Sequence, residues 1–150
     1  MSSLIISVSG LRGKVGESLN AAVVENYIAA YVRYLEKNGL DGPIVLGYDG
    51  RQSGLEILAS AEETLRAHGR SVLTAGVTAT PTLGFLVKHL HAAGGVQVTA
   101  SHNPHPWNGM KLFSPAGRVL PGEEGRQVKA FYETEKGWQP GTKWSVAQRE

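Results

Sequence analysis

The sequence predicts an α/β fold, namely a three-layer α/β/α sandwich whose sheet is mostly parallel and has one antiparallel edge strand. Two observations carry this prediction. Strand-like segments alternate with helix-like segments along most of the chain, an order typical of parallel strands joined by right-handed helical crossovers. The exception is residues 110–113, which follow a polar loop with no helix, so we expect this last strand to pair antiparallel.

The predicted strands are short apolar segments bounded by turn residues. The clearest is Pro-Ile-Val-Leu-Gly-Tyr at 43–48, a near-continuous apolar run typical of a parallel strand that is buried on both faces. Shorter strands are predicted at 4–8, 71–75 and 95–99. Residues 9–14 contain two glycines and two cations and are predicted to form a loop.

Helices are predicted where apolar residues recur at spacings of three and four. Val23, Tyr27, Tyr31 and Leu35 share one helical face, and Asn20 before them is a suitable N-cap. The next helix is predicted to begin with a capping box made by Ser53 and Glu56, a third with Thr80 as cap and Pro81 as its first residue, and a weaker one to span 122–135.

Composition excludes several classes of protein. The chain has 150 residues, 41% of them hydrophobic, which suggests one domain with its own core. A net charge of +2 with scattered basic residues does not favour a nucleic-acid binder. No cysteine is present, and no segment resembles a leader or a membrane span. We therefore expect a cytoplasmic protein, with the domain at 1–136 and an irregular tail or linker at 137–150.

The predicted topology places the candidate site at one edge of the sheet. In open α/β sheets, ligands bind beyond the carboxyl ends of the parallel strands. The loops at 9–14, 49–52, 77–80 and 101–108 leave those ends. We therefore expect a group of cations to converge around the Ser101 hydroxyl, an arrangement suited to phosphate chemistry: Arg12, Lys14, Arg51, His102 and Lys111.

Structural explanations remain open for these residues. Ser101 can be an ordinary turn serine, because Ser-x-Asn-Pro is good turn chemistry. Lys111 can protect an edge strand from aggregation, and Asp49 can hold Arg51 in an ion pair. A serine hydrolase is disfavoured, because the chain has no Gly-x-Ser-x-Gly elbow. His89, His91 and His105 lack the spacing of a metal site.

Four motifs resemble those of the α-D-phosphohexomutases, a family that includes phosphoglucomutase, phosphomannomutase and phosphoglucosamine mutase. Thr-Ala-Ser-His-Asn-Pro at 99–104, with Asn-Gly-Met-Lys at 108–111, resembles the family's phosphoserine loop. Ser-Gly-Leu-Arg-Gly at 9–13, Gly-Tyr-Asp-Gly-Arg at 47–51 and Thr-Pro-Thr at 80–82 resemble three further family elements in the same order. The matches span about 1–135 and correspond to the first of the family's four domains.

The resemblance implies a function and a set of site residues. It implies a hexose-phosphate mutase that interconverts sugar 1-phosphate and 6-phosphate through a phosphoserine at Ser101 and a bisphosphate intermediate. Lys111, His102 and Arg12 would be catalytic, while Arg51, Asn103 and Lys14 would bind substrate or phosphate. The phosphate on Ser101 would also contribute a ligand to Mg²⁺, and a hexose 1,6-bisphosphate would be the activator.

The chain lacks later elements of the family pattern, namely the metal loop and the loops that select the sugar and grip its phosphate. The family's Asp-Gly-Asp-x-Asp-Arg metal loop has no counterpart in these 150 residues. We therefore expect magnesium to be shared with a second domain, and the chain alone to be inactive without the remaining domains. Its expected partners are hexose phosphates, those domains and, through an exposed domain face, a second copy. The alternative is a stand-alone sugar-phosphate- or phosphate-binding module without turnover.

Overall fold

The structure, a computed structural model, describes residues 4–135 as a single six-stranded sheet with four helices. In chain order the elements are β1 (Ile5–Ile6), β2 (Gly10–Lys14), α1 (Ala21–Lys37), β3 (Ile44–Tyr48), α2 (Gly54–Ala67), β4 (Val72–Val77), α3 (Thr80–His89), β5 (Gly94–Val98), β6 (Trp107–Phe113) and α4 (Gly122–Glu135). Residues 137–150, predicted as a tail, lie outside the described residues.

The α/β class is confirmed, but the sheet is mixed rather than mostly parallel. Its strand order is β1-β2-β6-β5-β3-β4. The pairs β5–β3 and β3–β4 are parallel, whereas β1–β2, β2–β6 and β6–β5 are antiparallel. The prediction of one antiparallel strand at the edge was therefore wrong, since β6 is antiparallel but lies inside the sheet.

The difference arises from β2, which was predicted as part of a loop. Its glycines suggested a turn, yet here they allow two backbones to approach closely. A Cβ atom at Gly10 would overlap the carbonyl oxygen of Met110, and one at Gly109 would overlap that of Leu11. Glycine at these positions thus permits β2 to pair with β6, from Gly10 opposite Lys111 to Lys14 opposite Trp107.

Two apolar clusters lie on opposite sides of β3. Ile44 and Leu46 belong to a cluster that also contains residues of α1, α2 and α4. Val45 belongs to a second cluster with Leu83 and Val87 of α3. Because successive side chains of a strand point to opposite faces, the helices cover both sides of this part of the sheet.

The helix starts were predicted with mixed success. Asn20 caps α1 as expected, because its Oδ1 accepts a hydrogen bond from the Val23 amide at 3.0 Å. The capping box at Ser53 is absent, since this residue has helical dihedral angles and makes no side-chain cap bond. Its Oγ instead accepts a hydrogen bond from Asn108 Nδ2 at 2.9 Å, which ties the start of α2 to β6.

Tyr31 of α1 joins the parallel and antiparallel halves of the sheet. Its buried hydroxyl donates to the carbonyl oxygen of Phe113 in β6 at 2.6 Å and accepts from the amide of Gly95 in β5 at 3.1 Å. Gly94 leaves the space, because a Cβ atom there would overlap the Tyr31 hydroxyl. One side chain therefore satisfies backbone groups of both strands at the point where the pairing changes direction.

None of the helices within residues 4–135 has the length and apolar character needed to cross a membrane.

Candidate functional site

Ser101 lies at the tip of the loop that follows β5. Thr99 and Ala100 before it are buried, while Ser101 is exposed. Its φ angle is +56°, in the left-handed region, which costs a non-glycine residue about 1–2 kcal/mol. A turn closes directly after it, where the Asn103 amide donates to the Ala100 carbonyl at 3.0 Å. The backbone thus presents the serine side chain on a tight turn.

Both backbone groups of Ser101 have defined hydrogen-bond partners. Its amide donates to Thr99 Oγ1 at 2.9 Å, and its carbonyl oxygen accepts from Arg51 Nη2 at 2.9 Å. Arg51 also donates through Nη1 to the carbonyl oxygen of Trp107 at 3.0 Å. Arg51, which follows β3, therefore holds the loop near its start at Ser101 and at its end at Trp107.

Asp49 connects these contacts. Its Oδ2 accepts a hydrogen bond from Thr99 Oγ1 at 2.8 Å and lies 3.3 Å from Arg51 Nε, while Oδ1 accepts from the Arg51 amide at 3.1 Å. The Asp49–Arg51 ion pair that the sequence left open is therefore present. The sequence did not assign a function to Thr99. The available signal was that Asp49 and Thr99 both lie at the carboxyl ends of predicted parallel strands, which meet at one edge of a sheet. The structure adds that these strands, β3 and β5, are neighbours.

A first cavity, of about 220 Å³, lies next to Ser101 and carries two cations. Arg12 and Lys111 reach it because of the β2–β6 register. Gly10 lies opposite Lys111 and Arg12 opposite Gly109, so the two cationic side chains are diagonal neighbours on one face of the sheet. Hydroxyl groups complete the polar lining: Ser7, Ser9, Thr99 and Ser101. Cations and hydroxyls around an exposed serine suit an anionic ligand such as a phosphoryl group.

A second cavity, of about 570 Å³, holds three further predicted residues. Arg51, His102 and Asn103 line it, together with Gln52, Ser53, Pro104 and His105. Arg12 connects the two cavities, since its Nη1 lies 3.4 Å from Asn103 Oδ1 in a weak hydrogen bond. The predicted convergence is therefore divided between two adjacent cavities.

Lys14 lies in different surroundings from those expected, and one alternative explanation for Lys111 is removed. Lys14 lines neither cavity, and its Nζ lies 5.9 Å from the centre of the Trp107 ring. Lys111 belongs to β6, which has β2 on one side and β5 on the other. Its alternative explanation, protection of an edge strand, therefore does not apply.

The described residues do not by themselves fit a magnesium ion. Within residues 4–135, no group of three or more histidines, aspartates or glutamates is placed to hold a metal. Asp49, the carboxylate that follows β3, is already bound to Arg51 and Thr99.

Comparisons with known proteins agree on one family. Residues 4–137 match the family model described as phosphoglucomutase/phosphomannomutase, alpha/beta/alpha domain I. A phosphoglucosamine mutase of Synechococcus sp. (strain RCC307) is 41% identical over 123 residues, which are 81% of this chain and 26% of that protein. A protein of Xanthomonas campestris pv. campestris (strain B100) named "Phosphohexose mutases" is 38% identical over 115 residues, 77% of this chain and 25% of that protein.

Solved structures give the same result. The crystal structure of a candidate phosphomannomutase from Thermus thermophilus superimposes with a TM-score of 0.80 at 32% sequence identity. The similarity covers 88% of this chain and 30% of that chain. The chain thus spans about a quarter of the length of the two curated relatives above.

Proposed function

The chain belongs to the phosphoglucomutase/phosphomannomutase family, whose alpha/beta/alpha domain I it matches, and we propose that it is the phosphoryl-carrying N-terminal domain of a hexose-phosphate mutase. The observation that carries the proposal is the position of Ser101, exposed on a strained turn beside a cavity that Arg12 and Lys111 line. A hydroxyl beside two cations is well placed to carry a phosphoryl group.

In the proposed reaction, Ser101 Oγ carries a phosphoryl group and transfers it to a sugar monophosphate. The resulting bisphosphate reorients and returns its other phosphoryl group to Ser101, so that the phosphate moves between positions 1 and 6 of the sugar. Arg12 and Lys111 stabilise the negative charge on the transferring group. Lys111 also assists proton transfer at the reacting hydroxyl.

The second cavity would receive the sugar. We assign His102 and Asn103 to contacts with a sugar hydroxyl or a phosphate, because both line this cavity next to Ser101. The hydrogen bonds from Arg51 to the carbonyl groups of Ser101 and Trp107 favour loop organisation as its main role. Phosphate binding by Lys14 stays a prediction, and its position beside Trp107 does not support it.

Magnesium and the remaining domains belong to the same proposal. When bound, the ion would stabilise charge on the phosphoryl oxygens, with phosphorylated Ser101 as a ligand and the other ligands from outside the described residues. We propose that a hexose 1,6-bisphosphate primes the serine. We also propose that the chain alone does not isomerise hexose phosphates, and appreciable turnover by the purified chain would refute this part.

We infer that the fold is a three-layer α/β/α sandwich, with helices packed on both faces of the sheet. Support comes from the two apolar clusters that receive alternate residues of β3 and from the match to the family's alpha/beta/alpha domain I.

Intact-mass spectrometry tests the phosphoryl carrier. The mass of the purified chain is measured before and after incubation with a hexose 1,6-bisphosphate and magnesium, in parallel with that of the Ser101→Ala variant. Ser71→Ala is the matched control, because Ser71 directly precedes β4 at the opposite end of the sheet. We expect a gain of one phosphoryl group in the parent chain and in the control, but not in Ser101→Ala.

The other outcomes separate the two candidate functions. A gain that persists in Ser101→Ala would refute the assignment of the carrier. Saturable binding of the sugar phosphate without any gain would favour the alternative, a sugar-phosphate-binding module without turnover. Repeating the assay with the full-length mutase would then decide whether other domains are needed for the first transfer.

A further inference from the structure

We propose that Asp49 is a positioning residue that holds Ser101 in its left-handed conformation by fixing the backbone on both sides of it. This inference rests on the proposed function, in that it gives the proposed phosphoryl carrier its orientation. The contacts that carry it, however, are properties of the loop alone.

The first contact runs through Thr99. Asp49 Oδ2 accepts the hydrogen bond of the Thr99 hydroxyl at 2.8 Å, and this fixes the direction of that hydroxyl. Since the hydrogen points to Asp49, a lone pair of Thr99 Oγ1 is free to accept the amide of Ser101, at 2.9 Å. The carboxylate thereby determines which partner the Ser101 amide has.

The second contact runs through Arg51. Asp49 Oδ2 lies 3.3 Å from Arg51 Nε, and Oδ1 accepts the Arg51 amide at 3.1 Å. This arrangement fixes the guanidinium so that its two Nη atoms reach the carbonyl oxygens of Ser101 and Trp107. Both the amide and the carbonyl of Ser101 are therefore held, indirectly, by one carboxylate.

These contacts offset the strain at Ser101. A serine with φ near +56° tends to relax to negative φ, and this rotation would change the direction of its side chain relative to the cavity that Arg12 and Lys111 line. Asp49→Asn keeps the shape of the side chain but removes its charge. The variant weakens both contacts at once, because charge-assisted hydrogen bonds are the stronger ones. We therefore expect a loosened loop in a chain that otherwise remains folded.

Amide hydrogen exchange, measured by NMR on the full chain, tests the proposal without requiring catalysis. In Asp49→Asn we expect the amides of Ser101 and Asn103 to exchange about tenfold faster, the factor for one lost hydrogen bond to a charged group. The amide of Gln97, inside β5, reports on global unfolding and should change much less. Glu62→Gln is the matched control, because it removes a carboxylate from the surface ion pair with Arg66.

Variants of Thr99 test the relay itself. Thr99→Ser keeps the hydroxyl and should leave the Ser101 amide protected, whereas Thr99→Val removes it and should accelerate exchange there. In the double variant Asp49→Asn/Thr99→Val, the Ser101 amide should exchange more slowly than the product of the two single effects predicts, since both changes remove the same Thr99 contact and only the weakened Arg51 contact adds to it. Multiplied effects would overturn the relay.

Two results would overturn the proposal as a whole. One is unchanged exchange at Ser101 and Asn103 in Asp49→Asn. The other is equal acceleration at Gln97, which would mean that Asp49 only stabilises the whole fold. Neither result depends on phosphoryl transfer. If the parent chain never acquires a phosphoryl group, the proposed function fails while the exchange data still decide the positioning role.

Discussion

Replacing Tyr31 with phenylalanine is expected to weaken the sheet at the junction of its parallel and antiparallel halves. The substitution removes only the hydroxyl that donates to the Phe113 carbonyl at 2.6 Å and accepts from the Gly95 amide at 3.1 Å. Tyr31 is completely buried, with 0% exposure, so water cannot readily replace the lost partner. Two buried backbone groups are left without this hydrogen bond.

The magnitude follows from those two groups. An unsatisfied buried donor or acceptor costs about 1–3 kcal/mol, and part of this is recovered because the hydroxyl itself no longer has to be desolvated. We therefore expect the free energy of unfolding to fall by about 2–3 kcal/mol, a large part of the roughly 5–15 kcal/mol available to a domain. Urea unfolding followed by circular dichroism measures this difference.

Tyr27→Phe is the matched control for that experiment. Tyr27 lies one turn earlier on the same helix and is also buried, but its ring packs edge-on against Tyr132 of α4 and does not bridge β5 and β6. Its replacement keeps the ring in place and should cost clearly less than Tyr31→Phe, about 1 kcal/mol or less. Equal losses in the two variants would refute the reasoning, because the loss would then be unrelated to the bridge between β5 and β6.

Three further predictions concern alkaline pH, a backbone contact and a helix cap. Burial raises the pKa of three tyrosines of α1, namely Tyr27, Tyr31 and Tyr34. They remain protonated in the fold, whereas tyrosines of the unfolded chain ionise near about pH 10. Stability is therefore full below that pH and falls as the pH rises above it, because ionisation then favours the unfolded chain. Urea midpoints that do not move between pH 9 and 11 would contradict this. Gly109→Ala should disrupt the β2–β6 pairing, because the new Cβ overlaps the carbonyl oxygen of Leu11, and the melting temperature should fall strongly. The control is Gly16→Ala, where no atom lies within 4 Å of the new Cβ. It should lower the melting temperature only by the strain of its positive φ. Asn20→Ala should cost about 1 kcal/mol in urea unfolding, because it removes the cap bond to the Val23 amide; an unchanged midpoint would mean that the bond contributes no net stability.

Periodicity was enough to locate the helices and the parallel strands. Alternating and continuous apolar runs report burial directly, and burial is what β3, β5 and α1 share. The same reasoning failed at β2, where the sequence Gly-Leu-Arg-Gly-Lys has no apolar alternation that would distinguish it from a loop. Its strand character depends on the close approach of β6, about a hundred residues later, and local patterns carry no information about such a partner.

The candidate site was also predicted only in part. Ser101, Arg12 and Lys111 were expected together and do line one cavity. Ser101 is positioned as expected, by a loop at the carboxyl end of a parallel strand. Arg12 is instead positioned by the antiparallel pairing of β2 with β6. The contacts of Thr99 and Asp49 were not predicted, because hydrogen bonds between side chains and backbone depend on atomic positions that residue spacing does not specify.

The position of β2 has a consequence for how the chain folds. This strand is made early in the domain, yet its neighbour β6 is made about a hundred residues later. Arg12 can therefore join the serine loop only after almost the whole domain has left the ribosome, and closing such a long loop tends to slow folding. Once made, β6 presents an unpaired edge, with Met110 and Leu112 among its residues, until β2 pairs with it. The step that completes the cavity is thus also the step that removes the chain's exposed edge at this position and limits aggregation during folding.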